Sequence, residues 1–171
     1  MVLTAVGPDR PGLVKDVSSM IHRAGANLED SRMAILGGEF ALLVLISGSE
    51  DAVRKTRDAA SAAESELGLK ILVTPMARRE PGSNFLLYRL RVTGVDHPGI
   101  VQMVTGILAE RHVNVASLES RIAYAPLSGT PMFILEASVQ IPSETALAEL
   151  RRELGRVCDQ DNLDFTLDAG A

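Results

Sequence analysis

The residues best suited to chemistry come in two matching sets. Gly7-Pro8-Asp9-Arg10-Pro11-Gly12-Leu13-Val14 and Gly94-Val95-Asp96-His97-Pro98-Gly99-Ile100-Val101 agree at five of eight positions, with Leu13/Ile100 a conservative sixth. Each set reads as a turn at the mouth of a helix. There the first N–H groups have no intrahelical acceptor, and the helix dipole favours negative charge. Gly12 and Gly99 lack a side chain, so a small carboxylate can approach the backbone. Asp9 and Asp96, acceptors only when ionised, can take hydrogen bonds from an ammonium group. Asn27 and Asn114 keep the same offset of 87 and read as connection residues able to bind either end of a zwitterion. A free amino acid is the ligand this set suits. The same residues also have plain structural uses: Asp as a helix cap, Gly in a tight turn, Asn in a turn.

Little else in the chain offers chemistry. No Ser/Cys–His–acid set or acid/base pair can be assembled by spacing, so no catalytic residue is expected; only His97 beside Asp96 suggests a small enzyme. His22, His97 and His112 show no ligand spacing, and neither a metal nor a cofactor is expected. Cys158 lies on an apolar helix stripe and reads as core. Met20, Met33, Met103 and Met132 read as core filling. Arg78-Arg79 and Arg151-Arg152 read as solvated faces. Arg32 and Arg121, matched by allowing a two-residue insertion that aligns Ser31-Arg32 with Ser120-Arg121, could pair with a ligand carboxylate or a neighbouring acid.

The composition narrows the classes further. The chain has 171 residues, 17 Lys plus Arg against 22 Asp plus Glu, and a formal charge of −5. No dominant basic footprint exists, so direct nucleic-acid binding is not expected. With 4% aromatic residues and no Trp, stacking on single strands is disfavoured too. The longest apolar run, Phe40–Ile46, is far short of the roughly 18–20 residues of a membrane span. Met1–Gly7 has neither a basic n-region nor a cleavage site, so no signal peptide is expected. A single cysteine excludes an intrachain disulfide and suits a reducing cytoplasm.

The elements that must hold the two turns repeat as well. Each copy reads β-α-β-β-α-β. Strands over 2–6 and 85–93 run into the turns, and helices follow Pro11 and Pro98. Their apolar stripes are Leu13, Val14, Val17, Met20, Ile21 and Ala24, and Ile100, Val101, Val104, Ile107 and Leu108. Gly25 supplies a helix stop. Strands over 32–36 and 39–47 flank Gly37-Gly38, a two-residue hairpin turn; the second hairpin carries the longer loop Tyr124–Pro131. Second helices are expected over 50–67 and 143–157, the latter capped by Ser143, with closing strands over 69–74 and 163–167. The plan is α+β, two ferredoxin-like domains in tandem: 1–75, a linker over 76–84, and 85–171. Phe40–Ile46 is apolar at every position, not every second one, which predicts that another copy or another chain covers the outer face of that sheet. Phe133–Gln140 alternates and predicts a wetter outer face.

Asp9-Arg10-Pro11-Gly12-Leu13-Val14 and Asp96-His97-Pro98-Gly99-Ile100-Val101 resemble the signature turn of ACT domains, small modules that bind amino acids. The paired resemblance covers essentially the whole chain. Within that group, Asn27–Ala34 and Pro126–Phe133 resemble the glycine cleavage system transcriptional repressor family. A related turn opens formyltetrahydrofolate deformylase, where a catalytic domain follows. The resemblance implies a cytoplasmic, non-catalytic sensor of an amino acid, glycine first. Its output would be contact with a protein partner, a transcription activator; separately, the continuously apolar strand predicts self-association as a homo-oligomer, by intramolecular pairing, or both. The resemblance also implies ligand-binding roles for Asp9, Arg10, Pro11, Gly12 and Leu13, and for Asp96, His97, Pro98, Gly99 and Ile100, with Asn27 and Asn114 completing the sites. The alternative keeps the fold and makes the chain the regulatory ACT subunit of an amino-acid metabolic enzyme.

Overall fold

The computed structural model describes residues 1–76 and 84–170. The chain divides into two compact units, Met1–Arg79 and Glu80–Ala171. The central part of the expected linker, with Arg78, Arg79, Pro81 and Gly82, lies outside the described residues. The first unit runs β1 (Val2–Pro8), α1 (Leu13–Arg23), β2 (Asn27–Leu36), β3 (Glu39–Ser47), α2 (Glu50–Leu67) and β4 (Lys70–Thr74). The second repeats it as β5 (Phe85–Val95), α3 (Ile100–Glu110), β6 (Asn114–Tyr124), β7 (Pro131–Pro142), α4 (Leu147–Gln160) and β8 (Leu163–Ala169). The sheets have the orders β2-β3-β1-β4 and β6-β7-β5-β8, antiparallel throughout. This is the ferredoxin-like plan read from the sequence.

Each unit has its own core on the helix-facing side of its sheet. In the first, Leu3, Ala5, Phe40, Leu42, Val44 and Ile46 meet Leu13, Val17, Met20 and Ile21 of α1 and the alanines of α2. Val14 and Val101, read as part of the buried stripes, are exposed. The buried arc keeps i, i+4, i+7 and i+8, and a residue one step on is turned about 100° away from it. Met33 is also exposed, because β2 is an edge strand and every one of its residues is accessible.

Local signals explain some element ends. Gly25 (φ 78°) stops α1, with the Ala26 N–H donating to the Ile21 carbonyl, the longer bond of a left-handed helix stop. Ser49 caps α2 by accepting from the Ala52 N–H at 3.2 Å. Ser143 does not cap α4: β7 runs on to Pro142, the Ser143 N–H donates to the Asn84 carbonyl, and the helix begins only after Ala146. The strand pairing took the residues that local composition assigned to a helix start.

Register also corrects the alignment of the copies. Ile35 pairs with Phe40 and Ile122 with Phe133. Both edge strands bulge at the same place, between Leu28 and Asp30 and between Val115 and Ser117. The offset of 87 therefore holds along the whole edge strand, and no two-residue insertion exists there. The extra length sits in the hairpin, where Gly37-Gly38 is replaced by Tyr124–Pro131 between the last shared pairs, Leu36/Glu39 and Ala123/Met132. Arg32 corresponds to Glu119, not to Arg121.

The apolar run in β3 alternates after all. Phe40, Leu42, Val44 and Ile46 face the helices. Ala41, Leu43 and Leu45 lie on the outer face with Val2 and Val6 of β1 and Leu72 of β4. Val6, Leu43 and Leu72 are 41%, 46% and 65% exposed. In the second unit, the corresponding face carries Arg91, Glu136 and Arg121, joined by ion pairs of 3.7 and 3.9 Å.

Gly7 and Gly94 have a packing role. A Cβ on Gly7 would stand 2.8 Å from the Gly68 carbonyl oxygen, and one on Gly94 would stand 3.1 Å from that of Asn162. Gly7→Ala is expected to destabilise the chain by about 1–3 kcal/mol through overpacking. Urea unfolding checks this, and an unchanged midpoint would contradict it.

Candidate functional site

Both turns are built alike. The strand leaves the sheet beside its hairpin partner: the Asp9 N–H donates to the Gly38 carbonyl and the Asp96 N–H to that of Pro131, each at 3.0 Å. The chain then passes through Gly12 at φ 96° and Gly99 at φ 102°, a conformation that side chains resist. These glycines are the helix N-caps, and no side chain caps either helix. The first helical bonds are Asp16 N–H to Gly12 carbonyl and Met103 N–H to Gly99 carbonyl, both 2.9 Å. That leaves the N–H groups of residues 13–15 and 100–102 at open helix ends. The reading of Asp9 and Asp96 as caps is thereby set aside.

The two turns differ where their sequences differ. The Arg10 guanidinium donates to the Asp16 carboxylate at 3.3 Å and to the Pro11 carbonyl at 3.4 Å. This exposed ion pair contributes little stability, but it sets a cation beside the helix mouth. His97 instead lies with Nδ1 3.1 Å from the Pro98 carbonyl oxygen. Asp9 is exposed and Asp96 half-buried.

The asparagines do not join the turns of their own units. Pro8 pairs with Glu39 at one end of β3 and Asn27 with Ser47 at the other. Eight strand residues separate them by roughly 26 Å. In the second unit, Val95 pairs with Met132 and Asn114 with Gln140, giving the same separation. Asn27 and Asn114 are also the first residues of their strands, not connection residues. Asn27 donates to the Glu29 carboxylate at 2.9 Å, and the Ser47 hydroxyl donates to the same oxygen. The Ser47 bond, then that of Asn27, hold Glu29 below the usual carboxylate range. Asn114 donates to the Gln140 amide oxygen at 2.8 Å.

The remaining candidates take structural places. Arg32 pairs with Asp30 at 2.6 Å and Arg121 with Glu136 at 3.9 Å, so each serves a neighbouring acid. Arg151 donates to the Leu167 carbonyl, tying α4 to β8. Among the described residues no cluster of His, Cys, Asp or Glu could hold a metal ion, and no helix is long and apolar enough to cross a membrane. Cys158 is buried, and its thiol is pushed up to about 11, chiefly by burial and then by Asp159, Asp161 and Asp164. That is the reverse of an activated nucleophile.

Two grooves follow the helices and not the aspartates. A groove of about 600 Å³ lies between α1 and α2 and reaches Arg10, and one of about 420 Å³ lies between α3 and α4 and reaches Gly99. Asp9, Asp96, Asn27 and Asn114 line neither. Each turn is a shelf whose helix end is capped by no side chain.

Comparison with known proteins fits this arrangement. The ACT domain family matches residues 1–74 and again residues 88–155. The chain belongs to the ACT domain family. It is 29% identical over 163 residues to the glycine cleavage system transcriptional repressor of Escherichia coli K12, covering 95% of this chain and 85% of that protein. A crystal structure of an unknown protein from Galdieria sulphuraria superposes with a TM-score of 0.86 at 33% identity, covering 99% of this chain and 97% of that one. Another crystal structure, provisionally given the repressor's name, has a TM-score of 0.73 at 28% identity, covering 98% and 94% of the two chains.

The Cys158 environment yields a pH test. Because the native thiol is harder to ionise than the unfolded one, its contribution is present in full below about pH 9 and is lost as pH rises toward 11. The loss is expected to reach roughly 2–3 kcal/mol. Cys158→Ala should remove this part of the alkaline slope in urea titrations, and an identical slope in both proteins would refute the assignment.

Proposed function

We propose that this ACT tandem is a non-catalytic, cytoplasmic regulatory protein that senses a free amino acid, with glycine the first candidate. Its output is contact with a protein partner that controls transcription of glycine cleavage genes. The observation that carries this is the pair of uncapped helix ends behind Gly12 and Gly99. The ligand carboxylate lies on the N–H groups of residues 13–15 or 100–102, and its ammonium meets Asp9 or Asp96. A neighbouring domain closes each site. The likeness to the E. coli repressor over 95% of this chain supports the choice of glycine and of a transcriptional role. The net charge of −5 supports a protein partner over direct contact with DNA. A buried, unpaired cysteine suits a reducing compartment.

Titration calorimetry with glycine and a panel of amino acids tests the sensing step. Binding is expected for at least one of them, weakened about 10–100-fold by Asp9→Asn or Asp96→Asn through loss of a charge-assisted hydrogen bond. No heat and no thermal shift with any amino acid would remove the proposal. The outer face of Val6, Leu43 and Leu72 supports self-association. Leu43→Lys with Leu72→Glu should lower the mass seen by light scattering, and a monomeric parent chain at high concentration would overturn this part.

A further inference from the structure

The α1–α2 groove of the first unit has features that neither fold nor ligand binding requires. Small apolar side chains take part in its lining, Ala59 and Ala63 of α2 opposite Met20 of α1, with Met20 and Ala63 nearly buried. Its rim carries four cations, Arg10, Lys15, Arg23 and Lys55, against Asp16 and Glu66. The groove therefore has a surplus of two positive charges on a chain whose total is −5. Arg10 is paired with Asp16 and Lys55 with Asp51, while Lys15 and Arg23 have no ion-pair partner among the described residues.

The duplicate unit serves as an internal control. At the offset of 87, Lys15 corresponds to Gln102 and Arg23 to Glu110, and both of these line the equivalent α3–α4 groove. The same fold forms without the cations, so they are not there to hold α1 in place. α1 has 11 residues, about 16 Å of helix, which matches three turns of a helix laid alongside. A polyphosphate partner would need a far larger positive field than two surplus charges.

We propose that this groove docks an amphipathic helix of a partner protein, apolar on the side that meets Met20 and the alanines and acidic along its edges. This rests on the reading that the chain acts by protein contact, but it does not require amino-acid sensing. The probe is a labelled synthetic helix of about 18 residues with Leu and Ala on one face and Glu on the other. Its mirror carries Lys in place of Glu. Fluorescence anisotropy with the full chain should show the acidic helix binding at least about tenfold more tightly than the mirror, with affinity falling as salt rises. Arg23→Glu with Lys55→Glu should weaken the acidic helix about tenfold or more, while the charge reversal Arg156→Glu in the second groove should leave it unchanged. Equal binding of the two peptides, or indifference to the double substitution, would overturn the proposal. So would a dimer that dissociates on the double substitution, since the groove would then be covered by a second copy. Amino-acid calorimetry on the same proteins reads the sensing step separately, so either proposal can fail alone.

Discussion

The molecule depends on a backbone constraint: a strand must hand over directly to a helix through one residue with a left-handed conformation. Gly12 and Gly99 stand at φ 96° and 102° with open space where a side chain would be. Sterics inside the residue, not crowding around it, select glycine there; an L side chain would cost about 1–2 kcal/mol. The passage also determines what the helix end looks like. With glycine as N-cap there is no side-chain oxygen to satisfy the first N–H groups. The geometry that lets the fold close is therefore the geometry that leaves donors aimed outward.

The duplication separates framework from surface. The Gly7/Phe40 and Gly94/Phe133 pairings, the edge-strand bulges and the two glycine turns recur in place. What varies is chemistry laid over them: Arg10 against His97, Lys15 against Gln102, Arg23 against Glu110, Leu43 against Glu136. Each substitution leaves the buried face intact, because it changes a residue that points away from the helix–sheet core. Two units of one fold thus present two different outsides. The first is apolar across its sheet and basic along its helix groove; the second is ion-paired across its sheet.

Much of this was legible in the sequence because its determinants are local. Gly37-Gly38 between apolar runs gave the hairpin, and both glycines take positive φ. Ser49 and Gly68 bound α2 at the expected ends. The failures share a cause, which is competition from partners distant in sequence. Ser143 has the composition of a cap, but β7 pairs with Phe85 and carries the strand past the point where a helix was expected. The likeness of Ser31-Arg32 to Ser120-Arg121 was real as letters and false as structure, since pairing with β3 and β7 fixes a different register. Asn27 and Asn114 matched each other correctly, yet a constant offset says nothing about which end of a sheet a residue occupies.

The distance of the asparagines from the turns bears on how such a chain could signal. A zwitterion held by one turn alone would keep only a carboxylate contact on helix N–H groups and a single aspartate, with one side in water. Such a site is weak, since each exposed charged contact is largely screened. Closing the shelf with a second surface removes water from the same contacts and strengthens them. The binding energy then appears only in the closed arrangement, so ligand and association must favour each other to the same degree. On the proposed reading, an open half-site of this kind would be a poor pocket for a stored ligand and a suitable one for a switch. The incompleteness of each turn within its own unit is what would make amino-acid binding reach beyond that unit.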